Sequence, residues 1–350
     1  MRSSYKKEDV TILLKDVTGL LEPLDTFERE KKIQSGVHYS EMLPLEYKPT
    51  KEYLWLYEGA LKIHGKTTAK AIQTVSEKVI KEKGKDVVLV SLARAGTPIG
   101  ILMKRYIYQR YNINVPHYTI SIIRGRGIDK NAMNYILKFH APETIQFVDG
   151  WIGKGAIIKE LKKEVKNYQN LNPELAVLAD PAGLTSFYGT REDFLIPSSC
   201  LNATVSGLFS RTILNKTIIG ENDFHGAVYF EELEKEDVSY DFIHAIENQF
   251  DFKNIILEEE KKEGTSLEDI ENITKDFHIE DINFIKPGIG ETTRVLLRRM
   301  PWKILVKDKK EEKYISHIKK LCEEKNIELV EYPLKCYRAC GIIKSLSADI

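Results

Sequence analysis

The chain has 350 residues, which is enough for about two domains with a sizeable hydrophobic core. Its 52 basic and 52 acidic residues cancel, which argues against a protein that coats nucleic acid along its whole surface but allows a local basic patch. No apolar run approaches the roughly 18–20 residues of a membrane span, and the N-terminus has no apolar signal-peptide core. The four cysteines are too few for a disulfide scaffold, so we expect a cytoplasmic protein with no membrane partner.

The first third of the chain predicts a cover segment, a long helix and a buried strand. Residues 1–50 have little periodicity, which is typical of an irregular covering segment. Apolar residues then recur at helical spacing from Thr50 to Lys83. The apolar run 86–92 is typical of a strand buried on both faces, and Thr97 and Pro98 are favourable for starting the next helix.

Three further strands are predicted at 116–123, 145–148 and 174–179, with helical segments between strands. The first of them leads into Arg124-Gly125-Arg126-Gly127, a basic loop that we expect to be flexible. Strands that alternate with helices predict an α/β fold with a parallel sheet, in which ligands bind at the carboxyl ends of the strands. The polar residues at those ends are Arg94, Arg124, Asp149 and Asp180.

The loop after Asp149 has the features of a phosphate site. Gly150, Gly153 and Gly155 let a backbone approach a ligand closely, Lys154 adds a positive charge, and the amides of the following helix attract anions. The loop at 92–98 is similar, so the two together favour a phosphorylated ligand over ordinary strand-to-helix connections. The spacing does not fit a Walker loop, because only two residues separate Gly150 from Gly153.

A candidate thiol nucleophile lies further along the chain. Cys200 is predicted at or just before the start of a helix, where a thiol pKa is lowered, and His225 is the preferred base, with Asp180 or Asp223 to orient it. A small buried apolar residue is the alternative interpretation of Cys200. Ser198 and Ser199 are candidates for binding an anion beside the main loop.

The last hundred residues are charged and then form a small unit. Residues 253–283 predict solvated helices or a linker, and the small unit has a strand at 303–306, a helix at 312–325, a strand at 327–332 and a helical piece from about Tyr337. Between the charged segment and the small unit lie a glycine-rich turn and a predicted helix at 295–299. The turn has two interpretations: it binds phosphate or RNA, or it caps the helix. Its candidate residues are Gly288, Gly290, Thr292, Thr293 and Arg294.

Basic residues around this turn, from Lys286 to Lys307, form a local patch that fits either RNA backbone contact or a solvated charged face. The spacing of His317, Cys322, Cys336 and Cys340 lacks the paired cysteines of a zinc site, so we assign no metal to it.

The order of LARAGTP, a basic loop and FVDGWIGKGA resembles type I phosphoribosyltransferases. The whole chain is similar to the StiP family, a phosphoribosyltransferase-like group associated with tellurite-resistance stress gene clusters and also named as a cysteine protease. IPSSCLNATVSGL, FHGAVYF and KPGIGETTR belong to this likeness. The segment from KILVKD to YPLKCYRACGII is similar to the Pelota-type RNA-binding domain.

The resemblance implies a type I phosphoribosyltransferase-like parallel sheet flanked by helices, plus a small C-terminal α/β domain. We place the first domain with its cover segment at 1–255, a charged helical linker with the glycine-rich turn at 256–300, and the RNA-binding-like domain at 301–350. The implied ligand is phosphoribosyl pyrophosphate or a nucleotide with Mg²⁺.

The resemblance also implies roles for the loops. The pyrophosphate would lie on the first loop, Arg124 and Arg126 would close over it, Asp149 would hold the ribose, and Gly150 to Gly155 would hold the 5-phosphate with Lys154. The first loop contributes Arg94, Ala95, Gly96 and Thr97. One departure is evident, because the family has two adjacent acids followed by threonines where this chain has a single acid, Asp149, and then Gly150.

These observations lead to three alternative hypotheses for the function. The leading hypothesis is a phosphoribosyltransferase-like enzyme in a bacterial stress pathway, with RNA as a further partner of the C-terminal domain and an oligomer possible. The rival is a cysteine peptidase that uses Cys200 and His225. The third is a non-enzymatic nucleotide or RNA sensor, which the missing second acid favours.

Overall fold

The computed structural model describes residues 1–253, 257 and 266–344. Its strands in chain order are β1 (Thr11–Ile12), β2 (Lys15–Asp16), β3 (Pro23–Leu24), β4 (Leu43–Pro44), β5 (Val88–Leu92), β6 (His117–Ile120), β7 (Ile122–Ile123), β8 (Gly127–Ile128), β9 (Ile145–Trp151), β10 (Leu175–Ala179), β11 (Tyr188–Thr190), β12 (Gly226–Ala227), β13 (Ile285–Pro287), β14 (Pro301–Val306), β15 (Glu328–Glu331) and β16 (Ala339–Ile343). Its α-helices are α1 (Thr26–Gln34), α2 (Lys51–Lys83), α3 (Gly96–Tyr111), α4 (Lys130–Leu137), α5 (Ala156–Val165), α6 (Ser239–Glu247), α7 (Ser266–Asp276), α8 (Ile289–Arg298) and α9 (Glu312–Glu324).

The main sheet is parallel throughout and confirms the α/β prediction. In the described part of the chain its strand order is β1-β6-β5-β9-β10-β11. The middle strands are buried on both faces because helices cover each side. Helices α2, α3 and α6 pack in one apolar cluster, and α4 and α5 pack in another on the opposite face. The parallel order aligns the carboxyl ends of β5 and β9, where the two candidate loops begin.

The first loop connects β5 directly to α3. Gly96 opens the helix at a point where a Cβ atom would lie 2.4 Å from the carbonyl oxygen of Val148, so only glycine allows α3 to approach β9 this closely. The peptide bond between Ala93 and Arg94 is cis. The second loop ends at Gly155, whose φ of 81° is in the left-handed region, and α5 begins directly after it.

A separate small sheet lies at the C-terminal end, in the order β13-β16-β14-β15. Strand β16 is antiparallel to β13 and β14, whereas β14 and β15 are parallel. Helix α8 packs on this sheet, and its side chains also join the core that covers α2 and α3. The small sheet therefore recruits residues from 285 onward, and the division of domains at 255 and 300 stays a prediction.

Several local predictions were wrong. The chain before Cys200 forms a 3₁₀ turn at Pro197–Ser199, because Pro197 starts a turn that the chain does not continue as an α-helix. The helical piece from Tyr337 is instead strand β16, which is fully buried between two strands. The helix predicted at 295–299 already begins at Ile289. Part of the charged segment 253–283 forms α7, and the rest of it includes residues outside the described ones.

The predicted flexible basic loop is a tight turn. Residues 124–126 connect β7 and β8, which pair antiparallel at Ile122–Ile128 and Ile123–Gly127. The cover segment contains more order than expected, because α1 lies within it and Asp25 caps that helix at the Glu28 amide. Among the described residues, no helix has both the length and the apolar character needed to cross a bilayer.

Candidate functional site

A cleft of about 1660 Å³ opens at the carboxyl ends of β5 and β9. Its walls come from the main sheet, the cover segment and the C-terminal unit. Eleven basic and six acidic residues line it, an excess of five positive charges in a chain that is neutral overall. The basic lining residues are Arg29, Lys48, Arg94, Arg124, Lys154, Arg211, Lys286, Arg294, Arg298, Arg299 and Lys344, and the acidic ones are Glu30, Glu46, Asp149, Glu280, Asp281 and Glu291.

Asp149 lies at the base of this cleft, inside strand β9. One carboxylate oxygen accepts a hydrogen bond from the Gly150 amide at 2.7 Å. Removal from water raises the pKa of Asp149 to about 7, although the Gly150 hydrogen bond and the charge of Arg294 oppose the rise. The nearby Glu291 carboxylate raises it further. At neutral pH this carboxyl can therefore accept or release a proton.

The first loop supplies one arginine to the cleft. The Arg94 guanidinium donates to the side-chain oxygen of Asn202 at 2.7 Å and to the Phe209 carbonyl at 3.2 Å. Arg298 donates to the same Asn202 oxygen and, at 2.8 Å, to the Cys200 carbonyl. Burial and neighbouring arginines lower the pKa of Arg298 to about 10. Asn202 therefore holds two arginines side by side at the wall of the cleft.

The other predicted first-loop residues occupy different places. Ala95 lines the cleft, whereas Gly96, Thr97 and Gly150 are buried and do not line it. The Thr97 hydroxyl accepts a hydrogen bond from Thr119 at 3.1 Å. These positions shape the loop rather than face the cleft.

The second loop faces the cleft with its backbone. Gly153, Gly155 and Ala156 line it, and no side chain caps the N-terminus of α5. Such open amides favour an anion. Lys154 donates to the carbonyls of Ile282 and Ile285, so it joins the loop to the C-terminal unit.

Lysine charges crowd together beside that loop. Burial, followed by the charges of Lys286 and Arg124, lowers the pKa of Lys154 to about 8. Burial also lowers the pKa of Lys286 to about 8, and Arg299 and Arg124 add to the effect. The repulsion between these cations would be relieved by a bound anion.

The two arginines of the basic turn separate. Arg124 lines the cleft, donates to the Asn283 side chain at 2.9 Å and lies 6.0 Å from the centre of the Tyr39 ring. Arg126 instead forms an ion pair with Glu41 and does not line the cleft. The turn is therefore anchored on both sides, and of these two arginines only Arg124 lines the cleft.

The glycine-rich turn at α8 is occupied by the protein itself. Asp193 accepts hydrogen bonds from the amides of Ile289 at 2.9 Å and Arg338 at 2.8 Å. Gly288 and Gly290 line a small neighbouring cavity, and Thr292 and Thr293 are fully buried. Of the residues predicted here, Arg294 reaches the main cleft, where its guanidinium lies 5.7 Å from the centre of the Trp151 ring.

Asp180 and the two serines have local partners. Asp180 is fully buried, and one of its oxygens accepts from the amides of Leu184 and Thr185 and from Arg191. The Ser199 hydroxyl donates to the Ile196 carbonyl at 2.7 Å. Ser198 lies in the same 3₁₀ turn. These contacts shape two turns, and none of the three residues lines the cleft.

Cys200 and His225 lie in different environments. Cys200 is fully buried, and burial raises the pKa of its thiol to about 12 despite the charge of Arg298. The His225 ring bonds the Ser121 hydroxyl at 2.8 Å, and its backbone amide donates to Asp129 at 2.6 Å. Within the described residues, no hydrogen bond joins Cys200 to a histidine. Asp223 pairs with Lys15 at 2.6 Å.

The histidine and two of the cysteines considered for a zinc site are buried in the C-terminal unit. His317 bonds the Thr293 hydroxyl at 2.9 Å and is buried, as are Cys322 and Cys340. Over the described parts of the chain, no group of three or more His, Cys, Asp or Glu residues could hold a metal ion.

Sequence reasoning missed cleft residues that come from irregular segments. Arg29 lies on α1 in the cover segment, Arg211 lies in the irregular region after Cys200, and Glu46 faces Arg94 at 3.9 Å. Single charged residues in such segments carry no periodic or motif signal, so only the tertiary fold brings them together.

Comparison with known proteins agrees with this architecture. Residues 3–247 match the family described as "Tellurite-like stress resistance cysteine protease StiP". The chain belongs to the StiP family. Residues 264–345 match the PELOTA RNA binding domain. A StiP-family relative from Acinetobacter baylyi, named "Cysteine protease StiP", is 36% identical over 98% of this chain and 94% of its own length. The predicted family and the predicted C-terminal resemblance are confirmed.

Proposed function

We propose that this StiP-family protein binds a phosphorylated small molecule, of the phosphoribosyl pyrophosphate or nucleotide class, in the cleft above Asp149. The observation that carries the proposal is the crowding of cations along the cleft, which eleven basic and six acidic residues line. Burial, followed by neighbouring positive charges, lowers the pKa values of four of these cations, Arg211, Arg298, Lys154 and Lys286. A protein holds such cations together at a cost in free energy, and a polyanion offsets that cost.

The residues suit distinct parts of such a ligand. Arg94 and Arg298, held by Asn202, are placed for a pyrophosphate group beside the first loop. The open amides of α5 suit a terminal phosphate. Asp149 would accept a hydrogen bond from a ribose hydroxyl. In a transfer reaction, the same arginines would stabilise the charge that develops on a leaving pyrophosphate.

Magnesium fits this site only together with the ligand. Mg²⁺ is usually held by one or two carboxylates and by substrate phosphates. Asp149 and Glu291 are such a pair, since each lines the cleft and their charges interact. When bound, the ion would supply charge neutralisation to the phosphates, while Asp149 and Glu291 orient it.

Calorimetric titration of the full chain with phosphoribosyl pyrophosphate and with nucleotides, each with Mg²⁺, tests the proposal. We expect saturable heat that Arg298→Gln weakens and that Arg126→Gln leaves unchanged, because Arg126 pairs with Glu41 away from the cleft. An absence of heat with every ligand, with no rescue by nucleobases, would contradict it. Binding without turnover would favour a sensor over a transferase.

The second candidate function is a cysteine peptidase, which the family description and the name of the Acinetobacter relative favour. Cys200 adjoins the cleft wall, since its carbonyl accepts from Arg298 and the next residue, Leu201, lines the cleft. Its thiol has the high pKa of a buried group, so peptidase chemistry at Cys200 requires a rearrangement that exposes the sulfur and brings a base to it.

Thiol labelling separates the two candidates. With iodoacetamide at pH 7.5 we expect the partly exposed Cys336 to react at least about tenfold faster than Cys200, because the thiolate is the reactive species and Cys200 is buried with a raised pKa. Fast labelling of Cys200, together with peptide hydrolysis that Cys200→Ser abolishes and Cys322→Ser retains, would establish the peptidase instead.

We also propose that the C-terminal unit contacts RNA and that the protein acts in a stress response. The match to the PELOTA RNA binding domain and the family description support these two statements. Filter binding of short single-stranded RNA to the full chain tests the first, and loss of binding in 50–500 mM NaCl identifies a backbone contact.

A further inference from the structure

We propose that the cleft contains a further anion subsite, in addition to the α5 amides and to Arg94 with Arg298. It is built from Arg29 and Arg211 on the side of the cover helix and takes a separate phosphate group of the ligand. The inference rests on the proposed function and narrows the ligand class to molecules with two separated phosphate groups. The subsite uses different segments from the α5 amides, because its arginines come from α1 and from the segment after Cys200.

Arg29 lacks the partner that a buried guanidinium requires. Its Nε atom is buried and has no hydrogen-bond partner, and among the residues that the structure describes no carboxylate lies within ion-pair distance of its side chain. Burial and the charge of Arg299 lower its pKa, and Glu30 only partly opposes this. A buried donor without an acceptor costs free energy, which an incoming phosphate oxygen would remove.

Arg211, which also lines the cleft, carries a charge that its surroundings disfavour. Burial lowers the pKa of Arg211 to about 9, and the charges of Arg29, Arg94 and Arg294 add to the effect. Its guanidinium lies 5.5 Å from the centre of the Tyr39 ring, and no carboxylate in the described part of the chain lies within ion-pair distance of it. The ring of Tyr39 also lies 6.0 Å from the Arg124 guanidinium, so it connects this subsite with the loop side of the cleft.

The acids nearby are already engaged with other arginines. Glu30 pairs with Arg299 through one oxygen, and its other oxygen is buried without a partner. Glu46 lies 3.9 Å from Arg94, and Glu291 lies 3.3 Å from Arg294. The protein's own carboxylates therefore leave Arg29 and Arg211 available for a ligand, and guanidinium groups bind phosphate well because their planar donors match two oxygens at once.

The test compares adenosine 5′-monophosphate with adenosine 3′,5′-bisphosphate by calorimetry, on the wild-type chain and on Arg29→Gln, Arg211→Gln and the matched control Arg126→Gln. We expect the bisphosphate to bind the wild type at least about tenfold more tightly than the monophosphate. Either cleft variant should remove most of that difference while changing monophosphate affinity less than about twofold, and the control should change neither affinity.

Thermal unfolding without ligand separates a binding role from a structural one. Both cleft variants remove a crowded cation, so we expect their melting temperatures to equal or exceed that of the wild type. A lower melting temperature with unchanged ligand preference would overturn the subsite. Equal wild-type affinity for the two nucleotides would also overturn it while leaving the proposed function intact, whereas no binding of either nucleotide would remove both.

Discussion

Asp149 illustrates how one carboxyl acquires a functional pKa from its position. It lies at the end of a buried parallel strand, so it loses water, and the single amide of Gly150 does not replace that solvation. Its pKa of about 7 leaves it close to half ionised at neutral pH. A group with this property suits a site where protons or cations are exchanged, which is typical of functional carboxyls.

The raised pKa makes the stability of the protein depend on pH in a predictable direction. The unfolded carboxyl ionises near pH 4, whereas the folded one ionises near pH 7, so stability falls as pH rises between these values and then levels off. We expect Asp149→Asn to lose less stability than the wild type from pH 5 to pH 8, with a difference of about 3 kcal/mol in urea unfolding.

Asp86→Asn is the matched control, because Asp86 is exposed before β5. It should follow the wild-type dependence on pH. Identical pH dependence for the wild type and Asp149→Asn would show that the Asp149 carboxyl is well solvated, and its suggested role at the base of the cleft would lose its electrostatic support.

Helix α8 shows how an element that resembles a phosphate site is used to join two units. Its N-terminus follows Gly288, whose φ of 96° suits glycine, and its first amide donates to Asp193 from the main unit. The same carboxylate accepts from the Arg338 amide just before β16. An acid of the protein therefore occupies the place that an anion would take, and it fixes the C-terminal sheet against the main one.

Replacement of this acid should loosen that junction. Asp193→Ala leaves the buried amide of Ile289 and the half-buried amide of Arg338 without acceptors, so we expect a loss of about 2–4 kcal/mol in urea unfolding. Asp25→Ala, which removes the exposed cap of α1 at the Glu28 amide, should cost about 1 kcal/mol. Equal costs for the two variants would contradict a buried, two-bond role for Asp193.

At the scale of the whole molecule, charge is distributed unevenly although the total is zero. The cleft has five more basic than acidic lining residues, contributed by the main sheet, the cover segment and the C-terminal unit. Folding brings the cations of these three parts close together. The folded protein therefore has local repulsion between positive charges in the cleft, although its net charge is zero.

A bound polyanion should therefore stabilise the entire fold. We expect 10 mM pyrophosphate to raise the melting temperature by about 2–5 °C relative to sodium chloride of equal ionic strength. The increase should shrink in 500 mM NaCl, because salt screens the attraction. Differential scanning fluorimetry measures the melting temperatures. An equal increase with chloride and with pyrophosphate would argue against a specific site.

The parallel α/β architecture and the strand-to-helix loops could be predicted from the sequence, because hydrophobic periodicity, apolar runs and glycine placement are local properties of the chain. The family could be predicted from its motifs. The sequence also led to Arg94, Arg124, Asp149 and Arg294, which follow strands or a glycine turn and do line the cleft. The helix start predicted at Cys200 is wrong, because the 3₁₀ turn at Pro197–Ser199 begins like a helix and differs from one only through tertiary contacts.

Only the tertiary structure decided which charges meet. Arg29 and Arg211 are isolated in irregular segments, and their proximity depends on how the cover helix packs over the cleft. The helix predicted from Tyr337 is strand β16, because its five residues suit either structure until neighbouring strands supply hydrogen bonds. Long-range packing carries no local signal, and for that reason the basic cleft emerges from the fold and not from any single segment of the sequence.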